Sequence, residues 1–454
     1  WEVAKDRRFR RVVASGRVRT GPRRDHTVKV DARGLQPGRR YYYRFRLGRV
    51  TSQVGRTWTA PAAGAMPRNL RFGVVSCSNL QAGHFHAYRA LARRNDLHAV
   101  IHLGDYLYEY APGQYGYGSD DRDIRRHVPA REMVSLADYR QRHAQYKRDP
   151  DLAALHRKVP FVTTWDDHES ANDAYAAGAE NHQPDTEGSW RARRMAAYRA
   201  YDEWMPLRMD GTAVVGDGTR IYRRLRFGRL MELSMLDLRT YRSAPSSVPT
   251  TGGDQTITGA AQMDWLGRGL AGSSAQWKMI GNPVMVAPVD FATVPDDLVD
   301  PLNELFDGVL PPDGIAYNVD QWDGYVRDRN RLYGHIKDNN VTDVVFLTGD
   351  IHSAWACELP QDPGAYPLNS KTVGVELVCT SVTSNNLKDI VGTTALTPLV
   401  TGVLRTANPH IKDLDFDNHG YSVLDVTSAR TQMDYYVTAD RAGRDASSTW
   451  VRSF

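Results

Sequence analysis

The chain has 454 residues, 41% of them hydrophobic and 24% charged, with a formal net charge of +5. This is too long for one small domain and suits two, one of them large. No apolar run nears the ~20 residues of a membrane-spanning helix, and Cys77, Cys357 and Cys379 are too few for a disulfide-dense scaffold. Basic residues are scattered in short clusters such as RRFRR (7–11) and RARR (191–194). A nucleic-acid binder usually gathers them on one element. The charge is therefore read as solvated faces with some attraction for small anionic substrates, and no specific nucleic-acid binding is expected. The chain opens on WEVAKD, without a methionine or a visible signal peptide, and reads as a processed or trimmed product.

Residues 1–62 read as a small all-β domain. VVASGRVRT (12–20), HTVKVDARGL (26–35), YYYRFRLG (41–48) and VGRTWTAP (54–61) carry β-formers at alternating positions. The stretch GLQPGRRYYYRF (34–45) resembles the tyrosine corner of fibronectin-type sandwiches. Leu35 would be its plug and Tyr41 or Tyr43 its corner residue. Such a sandwich needs about seven strands and about five are visible, so its first strands are expected to be missing or supplied some other way. APAAGAMPRN (60–69) is a small-residue and proline linker.

Residues 63–454 follow a different grammar. Short apolar runs end at polar residues: LRFGVVSCSN (70–79), AVIHLGDY (99–106), FVTTWDDHE (161–169), RLMELSMLDLR (229–239), WKMIGNPV (277–284), DVVFLTGDIH (343–352) and VGVELVCTS (373–381). Helix-period segments lie between several of them, at 84–95, 135–158, 190–205, 259–273 and 322–339. Runs apolar on both faces, alternating with amphipathic helices, predict an α/β domain with a buried sheet. Cys357 and Cys379 lie in strand-like runs. They could pair if those strands are neighbours, or remain buried thiols. The loops at 111–126 and 240–260 are expected to shape the pocket.

Sites in open α/β sheets form outside the carboxyl ends of strands. Four such ends carry metal-ligand residue types: Cys77, Asp105 with Tyr108, Asp166–Asp167–His168, and Asp350 with His352. Each alone reads equally as a turn residue, a core thiol or a core histidine. Several carboxylates held together repel one another and resist burial unless a cation neutralises them. A metal pair also answers what a phosphoester demands. It polarises the phosphoryl oxygen and makes a strong nucleophile of water. Asp105 suits a bridging position, and His168 beside Asp167 suits protonation of the leaving oxygen. Arg239 in LDLRTYR is read either as a bidentate phosphate clamp or as the partner of Asp237 or another acid.

In this order, Cys77, GDYLYEY, WDDHE, LDLRTYRS and LTGDIHSAW resemble the PhoD-like alkaline phosphatase and phosphodiesterase family of calcineurin-like metallophosphoesterases. The resemblance spans nearly the whole chain and includes the N-terminal β domain. It implies a metallophosphoesterase β-sandwich core flanked by helices, and one ferric ion with Ca²⁺ rather than a zinc or manganese pair. Under it Asp105 bridges, while Cys77, Tyr108 and His352 favour the iron. Asp350 also ligates, and Asp167 stands where many relatives place an asparagine, with Asp166 acting instead or as well. Oxygen ligands suit calcium. Asn172 and Asn181 are minor candidates for that shell or for substrate. His410 in NPHIKDLDFDNHG (408–420) is assigned to a loop in or behind the substrate pocket.

The expectation is a secreted, monomeric enzyme that hydrolyses phosphate mono- or diesters by attack of a metal-held hydroxide or oxide. A phospholipase D-type diesterase acting on phosphatidylcholine is the alternative. A calcium-stabilised secreted binding module is the remote one. It requires neither Cys77 nor an Asp-x-His at separate strand ends.

Overall fold

The structure, a computed structural model, describes residues 1–209, 220–245, 255–290 and 319–454. The first strands are β1 (Glu2–Ala4), β2 (Val12–Ser15), β3 (Arg40–Arg44), β4 (Arg46–Leu47), β5 (Val50–Thr51) and β6 (Gly55–Trp58). They form an antiparallel sheet ordered β2-β1-β3-β6, with β4–β5 as a separate ribbon. The tyrosine corner resolves to Tyr41, which is buried and accepts a 2.9 Å hydrogen bond from the Gln36 backbone. The strand expected at 26–35 does not form. That segment runs instead against the larger domain. Lys29 donates to Asp202 at 2.6 Å and to the Leu207 carbonyl at 2.9 Å. Alternation of β-formers was present there, but ion pairing to another element set the conformation.

The larger domain contributes β7 (Leu70–Val75), β8 (Ala99–His102), β9 (Phe161–Thr163), β10 (Arg223–Phe227), β11 (Met231–Met235), β12 (Trp277–Asn282), β13 (Val344–Thr348), β14 (Ala354–Pro360), β15 (Thr372–Val378), β16 (Ile411–Asp415), β17 (Gly420–Val426), β18 (Thr431–Thr438) and β19 (Ser448–Ser453). Its principal helices are α1 (His86–Arg93), α2 (Leu136–Arg148), α3 (Pro150–Lys158), α4 (Trp190–Trp204), α5 (Ala260–Gly272), α6 (Val326–Asp338) and α7 (Thr397–Ala407). The segment 135–158 makes two helices because its sequence punctuates itself. Ser135 and Asp138 form a capping box on α2. Asp149 caps α3, with Pro150 in its first turn.

The strands form two sheets, ordered β19-β18-β17-β7-β8-β9 and β10-β11-β12-β13-β15-β14-β16. Their inner faces meet through Phe72, Val74, Ile101, Met279, Leu347 and Leu424. The outer face of the first sheet packs Val75 and Val100 against Leu91, Leu155 and Tyr201 of the helices. The outer face of the second packs Val344 and Phe346 against Leu266, Leu332 and Ile336. Successive strand residues point to opposite faces. Strands buried on both faces must therefore be apolar throughout, which is the pattern that marked them in the sequence. The result is a helix–sheet–sheet–helix sandwich.

β14 and β15 are neighbours, yet Cys357 and Cys379 remain free thiols. Cys357 sits opposite Glu376 and joins the outer layer, whereas Cys379 belongs to the layer between the sheets. Glu376 is itself fully buried. It accepts from Thr348 Oγ1 at 2.6 Å and from the backbones of Val286 and Ala287 at 2.9 and 2.7 Å. Burial pushes its carboxyl up to about 7 from an ordinary 4.5, against the pull of these bonds. The native state therefore holds a proton that the unfolded chain releases between these values, so stability falls with rising pH across that window. Glu376→Gln removes this slope. Relative to its parent, the variant is expected to gain up to about 3 kcal/mol from pH 4.5 to 7, read from urea midpoints.

Candidate metal centre

β7, β8 and β9 of one sheet and β13 of the other end at one edge of the sandwich. Their loops leave in step. Leu103 N donates to Val75 O at 3.0 Å, Thr164 N to His102 O at 3.1 Å and Cys77 N to Gly104 O at 3.3 Å. At this edge Cys77, Asp105, Asp350 and His352 all adopt positive φ, at 55°, 52°, 68° and 47°. Such strain in non-glycine residues concentrates at functional sites. Gly104 precedes Asp105 at φ 111°. A Cβ there would lie 2.5 Å from that of Asp166, so only glycine lets the β8 and β9 ends approach this closely.

Among the described residues, three groups of side chains could each hold a cation: Cys77–Asp105–His352, Asp105–Asp167–His168, and Asp105–Asp166–Asp167–Asp350. Asp105 belongs to all three. Its Oδ2 accepts from Tyr108 Oη at 3.1 Å, while Oδ1 is buried with no partner. Tyr108 Oη also lies 3.3 Å from His352 Nε2. The donors divide by chemistry. Cys77, Tyr108 and His352 gather about Asp105 as thiol, phenol and imidazole, and Asp166, Asp167 and Asp350 as carboxylates, with His168 beside Asp167.

The electrostatics state the same need. Burial raises Asp105 well above the usual carboxylate range, aided by Asp167, Asp166 and Glu169 and opposed by His168. Burial and the charges of Asp166 and Asp320 do the same to Asp350. Burial, Asp105 and Asp350 push the Cys77 thiol up, and burial, Asp105 and Cys77 push up the Tyr108 phenol. Burial brings His352 down to about 3, which leaves a neutral imidazole suited to ligation.

His168 behaves differently. Burial would lower it, but Asp167, Glu109 and Asp105 outweigh burial and hold it well above an ordinary histidine. Its Nδ1 lies 2.9 Å from Glu109 Oε2, and its ring packs 4.1 Å from the Tyr108 ring. Asn172 and Asn181 converge on the same glutamate. The Asn172 backbone and Asn181 Nδ2 reach Glu109 Oε1 at 2.7 and 3.1 Å, and Asn172 Oδ1 is buried without a partner.

Arg239 takes the salt-bridge option, though not with the Asp237 side chain. Its fork holds Asp166 at 2.6 and 3.1 Å and Asp320 at 2.8 Å twice. Asp237 instead accepts from the Trp165 indole at 2.9 Å and from the Arg239 backbone at 3.2 Å. Burial works against Asp320, but Arg239 and Arg242 keep it below the usual carboxylate range.

His410 is not brought to this centre. Strand β16 runs antiparallel to β14, which places His410 at its far end, 2.7 Å from the Pro288 carbonyl. Of the loops expected to shape the pocket, 111–126 brings Tyr115 to within 5.6 Å of the His168 ring and 6.4 Å of the His352 ring. Residues 246–254 of the other stretch lie outside the described residues.

Four contributors escaped the sequence reading. Glu109 and Glu169 stand inside GDYLYEY and WDDHE, where a carboxylate within a quoted motif was the one signal that could have found them. Glu169 receives the backbone N–H groups of Asp105, Tyr106 and Asp166, at 3.2, 2.7 and 2.8 Å, and so ties two strand ends together. Gln321 donates to Asp350 and accepts from the Met285 backbone. Asp320 and Gln321 follow no strand pattern, and nothing local marked them.

Comparison with known proteins identifies the family. The PhoD-like phosphatase family matches residues 72–435, and the N-terminal domain of PhoD-like phosphatases matches residues 1–61. Alkaline phosphatase D of Bacillus subtilis (strain 168) is 37% identical over 448 residues, covering 96% of this chain and 70% of that protein. A solved structure of PhoD superposes with a TM-score of 0.88 at 35% identity, over 100% of this chain and 82% of that one. A purple acid phosphatase from yellow lupin (Lupinus luteus) seeds shares the fold, with a TM-score of 0.51 at 12% identity over 93% of this chain and 60% of its own. The ordered strand-end motifs, the gathered acids and these matches have one explanation, which is that the chain belongs to the PhoD-like phosphatase family.

Proposed function

We propose that this phosphoric ester hydrolase acts on phosphate mono- and diesters with a ferric ion and calcium held at the strand ends. The observation that carries the reading is Asp105, shared by every candidate ligand group and buried with one oxygen unpartnered. The residues present fit the two ions. Cys77, Tyr108 and His352 offer thiolate, phenolate and imidazole, which suit iron. Asp166, Asp167, Asp350 and Asn172 offer the oxygens that suit calcium. When bound, the cations would supply Lewis acidity and neutralise the charge of the phosphoryl oxygens.

The protein's own residues do the rest. Glu109 occupies Nδ1 of His168, and Asp167 together with Glu109 favours the cationic ring, leaving Nε2 to deliver a proton to the departing oxygen. Arg239 holds Asp166 in place through its fork. Asn181 steadies Glu109. No helix among the described residues is long and apolar enough to cross a membrane. Export and a monomeric state are proposed on the family resemblance.

Elemental analysis beside a substrate panel tests the reading. The expected result is iron and calcium in the purified protein, a visible absorption band, and turnover of a nitrophenyl phosphodiester or monoester. Choline release from phosphatidylcholine, if faster than both, would move the substrate to phospholipids. Zinc with no visible band would overturn the iron assignment. Glu109→Gln adds a kinetic check. It is expected to slow alkyl phosphoesters by ~10–100-fold, the usual cost of losing a partner that orients a site residue. Nitrophenyl esters, which need little help to depart, should lose much less.

A further inference from the structure

The loop 380–386 lies against Cys77 and Tyr108 of the centre, and none of the assigned roles uses it. It is threaded onto the end of β7. Ser76 and Ser381 form a parallel bridge, Val382 N donates to Ser76 O at 3.1 Å, and Thr383 N and Ser384 N donate to Cys77 O at 3.2 and 3.3 Å. Thr383 Oγ1 reaches the Asn79 carbonyl at 2.6 Å. The Ser384 hydroxyl then lies between two atoms of the centre. It is 3.0 Å from the Cys77 carbonyl and 2.7 Å from Tyr108 Oη. Ser384 is fully buried. One side chain therefore touches the main chain of the candidate thiolate ligand and the oxygen of the candidate phenolate ligand.

The far side of the loop is locked by buried His419 and Arg441, from later parts of the chain, which both meet Asp389 just beyond the loop. Ser381 Oγ lies 2.8 Å from His419 Nδ1, and His419 Nε2 lies 2.7 Å from Asp389 Oδ2. Arg441 pairs with Asp389 at 2.8 Å, donates to Asn385 Oδ1 at 2.6 Å and donates to the Thr383 carbonyl. Burial and Arg441 bring His419 down to about 4, so it acts as a neutral hydrogen-bonding relay while Arg441 carries the ion pair to Asp389. These contacts hold Ser384 in one place, as a positioned hydrogen bond requires.

We propose that Ser384 is a positioning residue for the metal centre, donating its hydroxyl proton to the Tyr108 phenolate oxygen. The hydroxyl has one proton and two acceptors within reach. A neutral phenol directs its own proton to Asp105, whereas a phenolate has none to give and becomes the stronger acceptor at the shorter distance. The donated bond withdraws charge from the phenolate and so tunes its donation to the cation, as partners of metal ligands commonly do. The inference rests on the ferric reading above.

The test is the visible spectrum of the purified holoenzyme with its iron content. A phenolate that loses a hydrogen-bond donor becomes a stronger electron donor, so its charge-transfer band moves to lower energy. Ser384→Ala is therefore expected to keep its iron and shift the band to longer wavelength. Ser384→Thr, which retains the hydroxyl, is expected to restore the parental position. Urea midpoints of both variants check that the fold is retained. A band in the parent that Ser384→Ala leaves unmoved at full iron content overturns the role of Ser384. Equal shifts in both variants also overturn it, since they would report altered packing. No band in the parent defeats the ferric reading instead.

Discussion

Asp105→Asn is expected to empty the centre. The variant should fold, lose most bound metal by elemental analysis, and hydrolyse a nitrophenyl phosphodiester more slowly by well over the ~10–100-fold typical of losing an outer-shell partner. The size follows from position. Asp105 is common to all three candidate ligand groups, so one substitution removes a charge from each. The substitution is nearly isosteric, and the backbone amide of Asp105 still meets Glu169 at 3.2 Å, so the loop has no reason to move. Unchanged metal content and activity in the folded variant would sink the site assignment.

Arg239→Met is expected to destabilise the fold by about 3–5 kcal/mol, the usual cost of removing one partner from a buried charge group. Arg239, Asp166 and Asp320 are each nearly inaccessible, at 1%, 1% and 3% side-chain exposure. Removing the guanidinium leaves two carboxylates facing each other with Arg242 serving only Asp320. Arg239→Lys should fall between, because an ammonium keeps the charge but cannot span both acids as a planar fork does. Urea midpoints of the three proteins decide the matter. A raised KM for phosphoesters with unchanged stability would instead identify Arg239 as the phosphate clamp.

The strand ends were legible in the sequence for a definite reason. A strand buried on both faces is apolar throughout, so its end shows as an abrupt change to Cys77, Asp105, Asp166 or Asp350. Helix boundaries at Ser135 and Asp149 were equally local, because capping involves neighbours in sequence. The reading failed where partners lay far apart. The segment 26–35 has the alternation of a strand, but Lys29 reaches Asp202 across 173 residues. Arg239 had an acid two residues away, yet its side chain chose Asp166 and Asp320, 73 and 81 residues distant. His410 carried the right residue type at the wrong end of β16.

What the sequence by itself determined is the alternation that builds the two sheets, the residue types at their ends, and the family that uses them in that order. Those properties are one-dimensional, set by side-chain polarity and chain direction. Only the tertiary structure decided which strand ends share an edge. It also decided that Glu109 faces His168, that Asp320 binds both arginines, and that Ser384 meets Tyr108. These are choices among many chemically equivalent acids and hydroxyls. Burial makes them, because an unpaired charge or polar group in the interior is costly and the packed sheets bring each of these groups a partner within reach.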